Sequence, residues 1–163
     1  MNRVYLSLGS NEGDRIGWLR QSLQMLAEKC GAIVAISHIY QTAAWGLPDQ
    51  PDFLNMAVAV DTELSAADVL SKIRLIEEAL KRQRTIKWGQ RTLDIDILFF
   101  NDEVIDTAEL QVPHPHLHKR MFVLVPLADF APDYLHPVLK KTVLQLLAEC
   151  PDPLPVTMID QKL

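Results

Sequence analysis

Long apolar runs, paired cysteines and phosphate-binding glycine motifs are all missing from this chain, and each absence removes a class of function. No apolar stretch approaches the roughly 20 residues that a membrane-spanning helix needs, and no charged-then-apolar leader opens the sequence. The two cysteines, Cys30 and Cys150, stand alone and in no metal-type spacing. They are expected to be free thiols in a reducing compartment, which makes the cytoplasm the default location. No Gly-x-x-x-x-Gly-Lys-Ser/Thr loop occurs, and Gly9-Ser10-Asn11 is not a dinucleotide fingerprint, which excludes P-loop kinases and Rossmann enzymes. A formal charge of −5 lacks the basic field of a general nucleic-acid binder. No internal repeat or linker interrupts the 163 residues, a length that suits one domain with a proper core.

The chemistry is concentrated in one run, from Arg82 to Ile97. Arg82, Arg84, Lys87 and Arg91 surround Trp88-Gly89 in a loop pattern, and the chain then enters a strand through Leu93-Asp94-Ile95-Asp96-Ile97. Side chains alternate along a strand, so Asp94 and Asp96 share one face while Leu93, Ile95 and Ile97 share the other. Like charges side by side repel unless a cation lies between them, and Asp is depleted in strands. A solvent-facing polar pair is the bland alternative. The adjoining cations favour a divalent metal on the carboxylates and phosphate on the arginines, hence a magnesium–nucleotide site. Two ions could share the carboxylates and clamp attacking and leaving oxygens. A solvated charged loop is the alternative for the cations, but Trp88 suits a plug that closes over a nucleotide.

Elsewhere the pattern is that of an α+β domain. Val4–Leu8 reads as a strand ended by turn residues from Gly9 to Gly13. Asp14 is placed to cap a helix to about Glu28, and Gly31 to stop it. Ala32–Tyr40 is expected as one strand, Gln41–Asp52 as a long loop and Phe53–Val60 as a strand. Ser65, with Asp68 three residues on, opens a helix to about Lys81. After the Leu93–Phe100 strand, Asn101-Asp102 turns the chain into a short return strand to Ile105. Short helices are expected at Met121–Phe130 and Thr142–Glu149, with an irregular tail after Cys150. The order β-α-β-β-α-β is ferredoxin-like: an antiparallel sheet with packed helices and C-terminal additions.

Three further features invite a binding role. His114, His116 and His118 flank Pro115 and precede Lys119-Arg120; a zinc site lacks a fourth ligand there, and a loop donating His and Arg to phosphate fits better. Asn55 in a strand wants partners, and its amide suits the edge of a heterocycle. Phe53 and Phe122, taken alone, read as core residues.

Taken together these motifs resemble the 6-hydroxymethyl-7,8-dihydropterin pyrophosphokinase family. The resemblance rests first on Arg82-x-Arg84 and on Trp88-Gly89-x-Arg91-Thr92-Leu93-Asp94-Ile95-Asp96-Ile97. Leu8-Gly9-Ser10-Asn11 and Asp49-Gln50-Pro51-Asp52-Phe53-Leu54-Asn55 extend it toward the N-terminus. Val112-Pro113-His114 and Arg120-Met121-Phe122-Val123-Leu124-Val125-Pro126-Leu127 extend it toward the C-terminus. It implies transfer of a diphosphate from ATP to the pterin hydroxymethyl group, with release of AMP, in folate synthesis. By the same resemblance Asp94 and Asp96 hold two magnesium ions, and Arg82 and Arg91 act catalytically on the phosphates. Glu77, Arg84, Trp88, Ile97, His114 and Arg120 are expected at the nucleotide. Phe53 and Phe122 would sandwich the pterin, with Asn55 and the backbone from Thr42 through Ala43 to Trp45 reading its polar edge. The chain departs from the family pattern at Ala43, Ala44 and Gln90, where Pro is usual, and at Lys81, where Gly is usual. None of these removes a metal ligand or catalytic arginine, so an active monomer is expected, with no nucleic-acid or membrane partner.

Two rival readings remain open at this point: another Asp-x-Asp metal-dependent nucleotide transferase, and a non-catalytic ferredoxin-like binding module.

Overall fold

Nine residues at the N-terminus, Asn2–Ser10, form strand β1, which lies inside the main sheet. The computed structural model describes residues 1–43, 50–81, 93–159 and 163. Helix α1 (Arg15–Lys29) starts where Asp14 accepts a 3.0 Å hydrogen bond from the Gly17 N–H, the expected carboxylate cap. It stops at Cys30 and Gly31, where a Cβ on Gly31 would meet the Asp61 carbonyl oxygen at 2.1 Å. Strands β2 (Ala32–Ile36), β3 (Tyr40–Thr42) and β4 (Phe53–Thr62) follow, and then helix α2 (Ala66–Lys81), where the Ser65 hydroxyl accepts from the Asp68 N–H at 3.2 Å. Strand β5 (Asp94–Phe100) leads to a small hairpin of β6 (Ile105–Asp106) and β7 (Gln111–Val112). Beyond a 3-10 turn at Leu117–Lys119 come α3 (Met121–Ala128), α4 (Val143–Glu149) and β8 (Thr157–Met158).

The main sheet runs β5-β1-β4-β3-β8, with β2 beside β3 on the same flank of β4, and every pairing is antiparallel. Alternation along β1 and β4 divides the core in two. Val4, Leu6 and Leu8, with Met56, Val58 and Val60, pack under α1 and α2 through Leu19, Leu26, Ile73 and Ile76. The opposite face carries Ala57, Leu98 and Phe99 against Leu117, Val123, Leu124 and Leu127 of the α3 side and Val143 and Leu146 of α4. Each buried Leu or Ile contributes roughly 1.5–3 kcal/mol of transfer free energy, so both layers are held by apolar burial. The α+β class and the ferredoxin-like antiparallel core expected from the sequence are present.

Four local readings are corrected. Gly9 and Ser10 belong to β1 rather than to a turn, because they pair with Asn55 and Leu54 of β4. The single strand expected over Ala32–Tyr40 is two, split at Ser37, whose hydroxyl donates to His38 O at 2.7 Å and accepts from the Ala57 N–H at 2.8 Å. The return strand after Asn101-Asp102 pairs forward with β7, not back onto β5. The tail is not wholly irregular, since β8 adds to β3. The turn at Asn101 itself is as expected, with the residue in the left-handed region at φ 50°, which Asn tolerates.

Candidate active site

Two rows of residues cross three strands at one end of the sheet. In the first, Asn55 of β4 faces Gly9 of β1, and Gly9 faces Asp94 of β5; in the second, Ala57, Ser7 and Asp96 stand in the same order. Adjacent strands lie about 4.8 Å apart, so Asn55 and Asp94 are held roughly 10 Å apart with no side chain between them. Gly9 thereby keeps a hollow open in the floor. A Cβ there would sit 2.9 Å from Asn55 Oδ1.

The hollow is a cavity of about 350 Å³ lined by Ser7, Gly9, Thr42, Ala43, Gln50, Phe53, Asn55, Asp94, Asp96, Arg120 and Phe122. The paired acids lie on one side of β5, while Leu93, Ile95 and Ile97 are buried on the other, as alternation requires. Phe53 begins β4, and Phe122 stands in the first turn of α3 on the layer above. The Arg120 guanidinium lies 5.7 Å from the centroid of the Phe122 ring, within cation–π range.

Asn55 is buried, and its amide N–H donates to Thr42 Oγ1 at 2.8 Å. That bond fixes the amide orientation and turns Oδ1 over Gly9 as an acceptor. Around it, Asn11 donates to Gln50 Oε1 at 3.0 Å and to the Pro51 carbonyl at 3.2 Å, while Arg15 donates to the Asp52 carbonyl at 2.7 Å. The residues before β4 are thus tied to the end of β1 and the start of α1.

A second cleft, of about 450 Å³, opens on the far side of Asp96. It is lined by residues that include Leu70, Ile97, Glu109, Gln111 and His114. His114 Nδ1 accepts from the His116 N–H at 3.1 Å, and the His114 N–H donates to the Leu98 carbonyl at 3.0 Å. Burial pushes the His114 imidazole below its ordinary pKa; Asp96 acts the other way, and Arg120 and His116 reinforce the lowering. A neutral ring accepting at Nδ1 presents Nε2–H as a donor. Glu77 Oε2 accepts from the Ile95 N–H at 2.9 Å, joining α2 to the strand that carries the acids.

Of the residues singled out from the sequence, Thr42, Ala43, Phe53, Asn55, Asp94, Asp96, Arg120 and Phe122 meet in one cavity. Ile97 and His114 share the adjoining cleft with Asp96. Trp45, Arg82, Arg84, Trp88 and Arg91 lie outside the described residues, as do Ala44 and Gln90. Sequence reasoning missed Ser7 and Gln50 as lining residues, and it gave Gly9 a turn in place of the floor. The signal for Gly9 was present: a glycine that continues an alternating strand marks a close approach to something.

The 7,8-dihydro-6-hydroxymethylpterin-pyrophosphokinase (HPPK) family model matches residues 5–132, which is most of the chain and includes every cavity residue named above. The chain belongs to this family. Among its relatives, the 2-amino-4-hydroxy-6-hydroxymethyldihydropteridine pyrophosphokinase of Aquifex aeolicus is 42% identical over 149 residues, covering 91% of this chain and 92% of the relative. The enzyme of the same name from Bacillus subtilis is 46% identical over 129 residues, covering 78% and 77% respectively. The fold is also that of a Plasmodium falciparum HPPK-DHPS crystal structure with pterin and p-hydroxybenzoate, at TM-score 0.74 and 20% identity. That match covers 91% of this chain, which spans 43% of the Plasmodium chain. As a member of the pyrophosphokinase family, the protein is an ATP-dependent, diphosphate-transferring enzyme of folate biosynthesis. No helix among the described residues is long and apolar enough to cross a membrane.

The pyrophosphokinase floor makes one sharp demand on the sequence. Gly9→Ala should push the Asn55 amide off its acceptor position, because the new Cβ would stand 2.9 Å from Oδ1. Loss of one well-placed hydrogen bond corresponds to on the order of tenfold in affinity. If that oxygen receives the acceptor substrate, steady-state kinetics should show the KM for that substrate rising by about tenfold, with the KM for ATP nearly unchanged.

Proposed function

We propose that the diphosphate transfer takes place in the cavity between the Phe53–Phe122 aromatics and the Asp94–Asp96 floor, with 6-hydroxymethyl-7,8-dihydropterin as the acceptor. The observation that carries this reading is the composition of that one cavity: two aromatic faces, an oriented amide and two acids. A flat heteroaromatic ring would stack on Phe53 and Phe122, a contact that contributes about 0.5–1.5 kcal/mol beyond area burial. Asn55 Oδ1, fixed by the Thr42 bond, would accept from a ring N–H. The hydroxymethyl group would then point along the floor toward Asp94 and Asp96.

In the reaction the pterin hydroxyl oxygen attacks the β-phosphorus of ATP and releases its proton to solvent. The bond from that phosphorus to the α-phosphate oxygen breaks, and AMP leaves with the electron pair. Such transfer asks for alignment and charge neutralisation more than for a protein nucleophile. Arg120 lines the cavity, and its charge reaches His114 in the adjoining cleft. Arg82 and Arg91, assigned from the sequence, add positive charge to the transferring phosphates. The neutral His114 donates from Nε2 to the nucleotide, and Ile97 forms part of the apolar wall under it.

The donor set fits magnesium. Among the described residues no three His, Cys, Asp or Glu side chains gather as a metal cage, and magnesium is usually held by one or two carboxylates, with waters and substrate phosphates completing its shell. Asp94 and Asp96 would hold two such ions, which when bound would screen phosphate charge and make the β-phosphorus a better electrophile. The reading extends to a cytoplasmic monomer, with residues 1–163 forming one pterin pyrophosphokinase domain.

Phosphorus NMR of the protein with magnesium, ATP and 6-hydroxymethyl-7,8-dihydropterin tests the reaction. AMP and a pterin diphosphate should grow in equal amounts. Stoichiometric ADP would overturn the proposed transfer and favour a different phosphoryl chemistry.

A further inference from the structure

The segment that follows α4 lies beyond the family match, which ends at residue 132. Even so, it touches both walls of the pterin cavity. On one wall, Asp152 Oδ2 accepts from the Met121 N–H at 3.1 Å, while Asp152 Oδ1 accepts from the Leu154 N–H at 3.0 Å. Met121 is the first residue of α3, between Arg120 and Phe122. A helix N-terminus leaves its first N–H groups without intrahelical acceptors. The residue at the cap position here is Arg120, whose side chain makes no capping hydrogen bond and has no acceptor atom to offer. A carboxylate from 31 residues away supplies what the local sequence lacks.

On the other wall, Thr157 and Met158 form β8 and pair with Gln41 and Tyr40 of β3, and the Ile159 N–H donates to the Ile39 carbonyl at 3.0 Å. The next residue of β3 is Thr42, the partner of Asn55. At the first attachment, Pro151, Asp152 and Pro153 line a cleft together with Phe53, Arg120 and Phe122. The far end of α3 is held as well. Asp129 accepts from the Tyr40 hydroxyl at 2.6 Å and from the His38 N–H at 2.9 Å.

We propose that residues 151–159 are a strap that sets the spacing of the two pterin-cavity walls, with Asp152 as the positioning residue for Phe122. This rests on the pterin reading of the cavity under Proposed function. Proline at 151, 153 and 155 restricts the backbone of the strap, so a shift at one attachment is passed to the other. Asp152 is not a catalytic residue. It acts through α3, by holding the first turn in the arrangement that binds pterin. Releasing the turn lowers the fraction of protein in that arrangement and weakens apparent affinity in the same proportion.

Calorimetric titration of the full chain with pterin, in the presence of a magnesium-bound non-hydrolysable ATP analogue, tests this. Five proteins are compared: wild type, Asp152→Ala, Asp152→Asn, Ile159→Pro and Phe122→Ala. Asp152→Ala should weaken pterin binding about fivefold, the effect of one lost cap. Binding of the ATP analogue should stay within about twofold, and melting should shift by only a few degrees. Asp152→Asn, which keeps one acceptor oxygen, should lose less. Ile159→Pro, which removes the donor at the other attachment, should weaken pterin in the same direction even though it leaves α3 untouched. If Phe122→Ala weakens pterin binding while Asp152→Ala and Ile159→Pro do not, the strap is wrong and the cavity reading stands. If Phe122→Ala leaves pterin affinity unchanged, the cavity reading fails and the strap fails with it. Equal losses for pterin and the ATP analogue in Asp152→Ala would reduce Asp152 to a general stabiliser and overturn the positioning role.

Discussion

Asp96→Asn should lower kcat by on the order of 10³-fold or more, a loss of about 4 kcal/mol or more of transition-state stabilisation. The substitution is nearly isosteric, and Asp96 is exposed at the cavity floor rather than packed in the core. Thermal melting should therefore move little, which separates a chemical loss from misfolding. Asp94→Asn should behave alike, because Asp94 stands two residues away on the same face of β5. The cause is the charge density required when a diphosphate leaves AMP for a neutral alcohol. A carboxylate holds a hard cation far better than an amide does. Raising magnesium to saturation should recover only part of the activity, since the ligand set has changed and not merely its occupancy. Rate measurements across a magnesium titration check this; turnover equal to wild type at saturating magnesium would remove both acids from the metal role.

Lowering the pH should destabilise the protein through His136, which does not line the active cavity. His136 is 5% exposed, and its ring lies edge-on to Phe99 with centroids 5.5 Å apart. Its Nδ1 accepts from the Val138 N–H at 3.2 Å and from the Leu139 N–H at 3.0 Å. A protonated ring would lose that acceptor and place a charge in the layer between α4 and the sheet. Burial, reinforced by the positive field of His118, pushes its pKa down to about 4 from the ordinary 6.5.

The unfolded chain therefore binds a proton at pH values where the folded one does not. The stabilisation is fully present above pH 6.5, shrinks as pH falls from there, and is gone below about pH 4. A displacement of this size corresponds to about 3 kcal/mol. Urea unfolding at about pH 7 and about pH 4.5 should show most of that difference in the wild type. His136→Asn keeps an acceptor near Nδ1 but does not titrate, so it should have a flatter profile over the same interval. Parallel profiles for the two proteins would show that other groups carry the acid sensitivity.

What could be read from the sequence is what local chemistry determines. Asp14 and Ser65 cap their helices as expected, because a cap involves neighbours within three residues. The shared face of Asp94 and Asp96 follows from strand geometry alone. The failures are places where a distant partner decides. Gly9-Ser10 carries turn residues, yet nine-residue pairing with β4 keeps it in the strand. Ser37 splits a strand pattern because its hydroxyl answers Ala57, 20 residues on. Proline-rich composition hid β8, whose partner is β3 at the opposite end of the chain. Taken alone, Phe53 and Phe122 read as ordinary core, since neither differs from a packing aromatic; only the family resemblance set them beside a ligand, and the fold brings both to one cavity. The Arg82–Arg91 stretch, most informative in the sequence, lies outside the described residues, so the site is defined by its floor and walls.

The most direct test of the account uses manganese in place of magnesium. Wild-type protein is saturated with a non-hydrolysable ATP analogue and 6-hydroxymethyl-7,8-dihydropterin, and proton relaxation of the bound pterin is followed as manganese is added. If pterin stacks on Phe53 and Phe122 with its hydroxymethyl group over the Asp94–Asp96 floor, those methylene protons should relax strongly and far faster than with magnesium. The effect should vanish in the Asp94→Asn/Asp96→Asn double variant. Pterin that is bound in the wild type but whose hydroxymethyl protons are untouched by manganese would contradict the account.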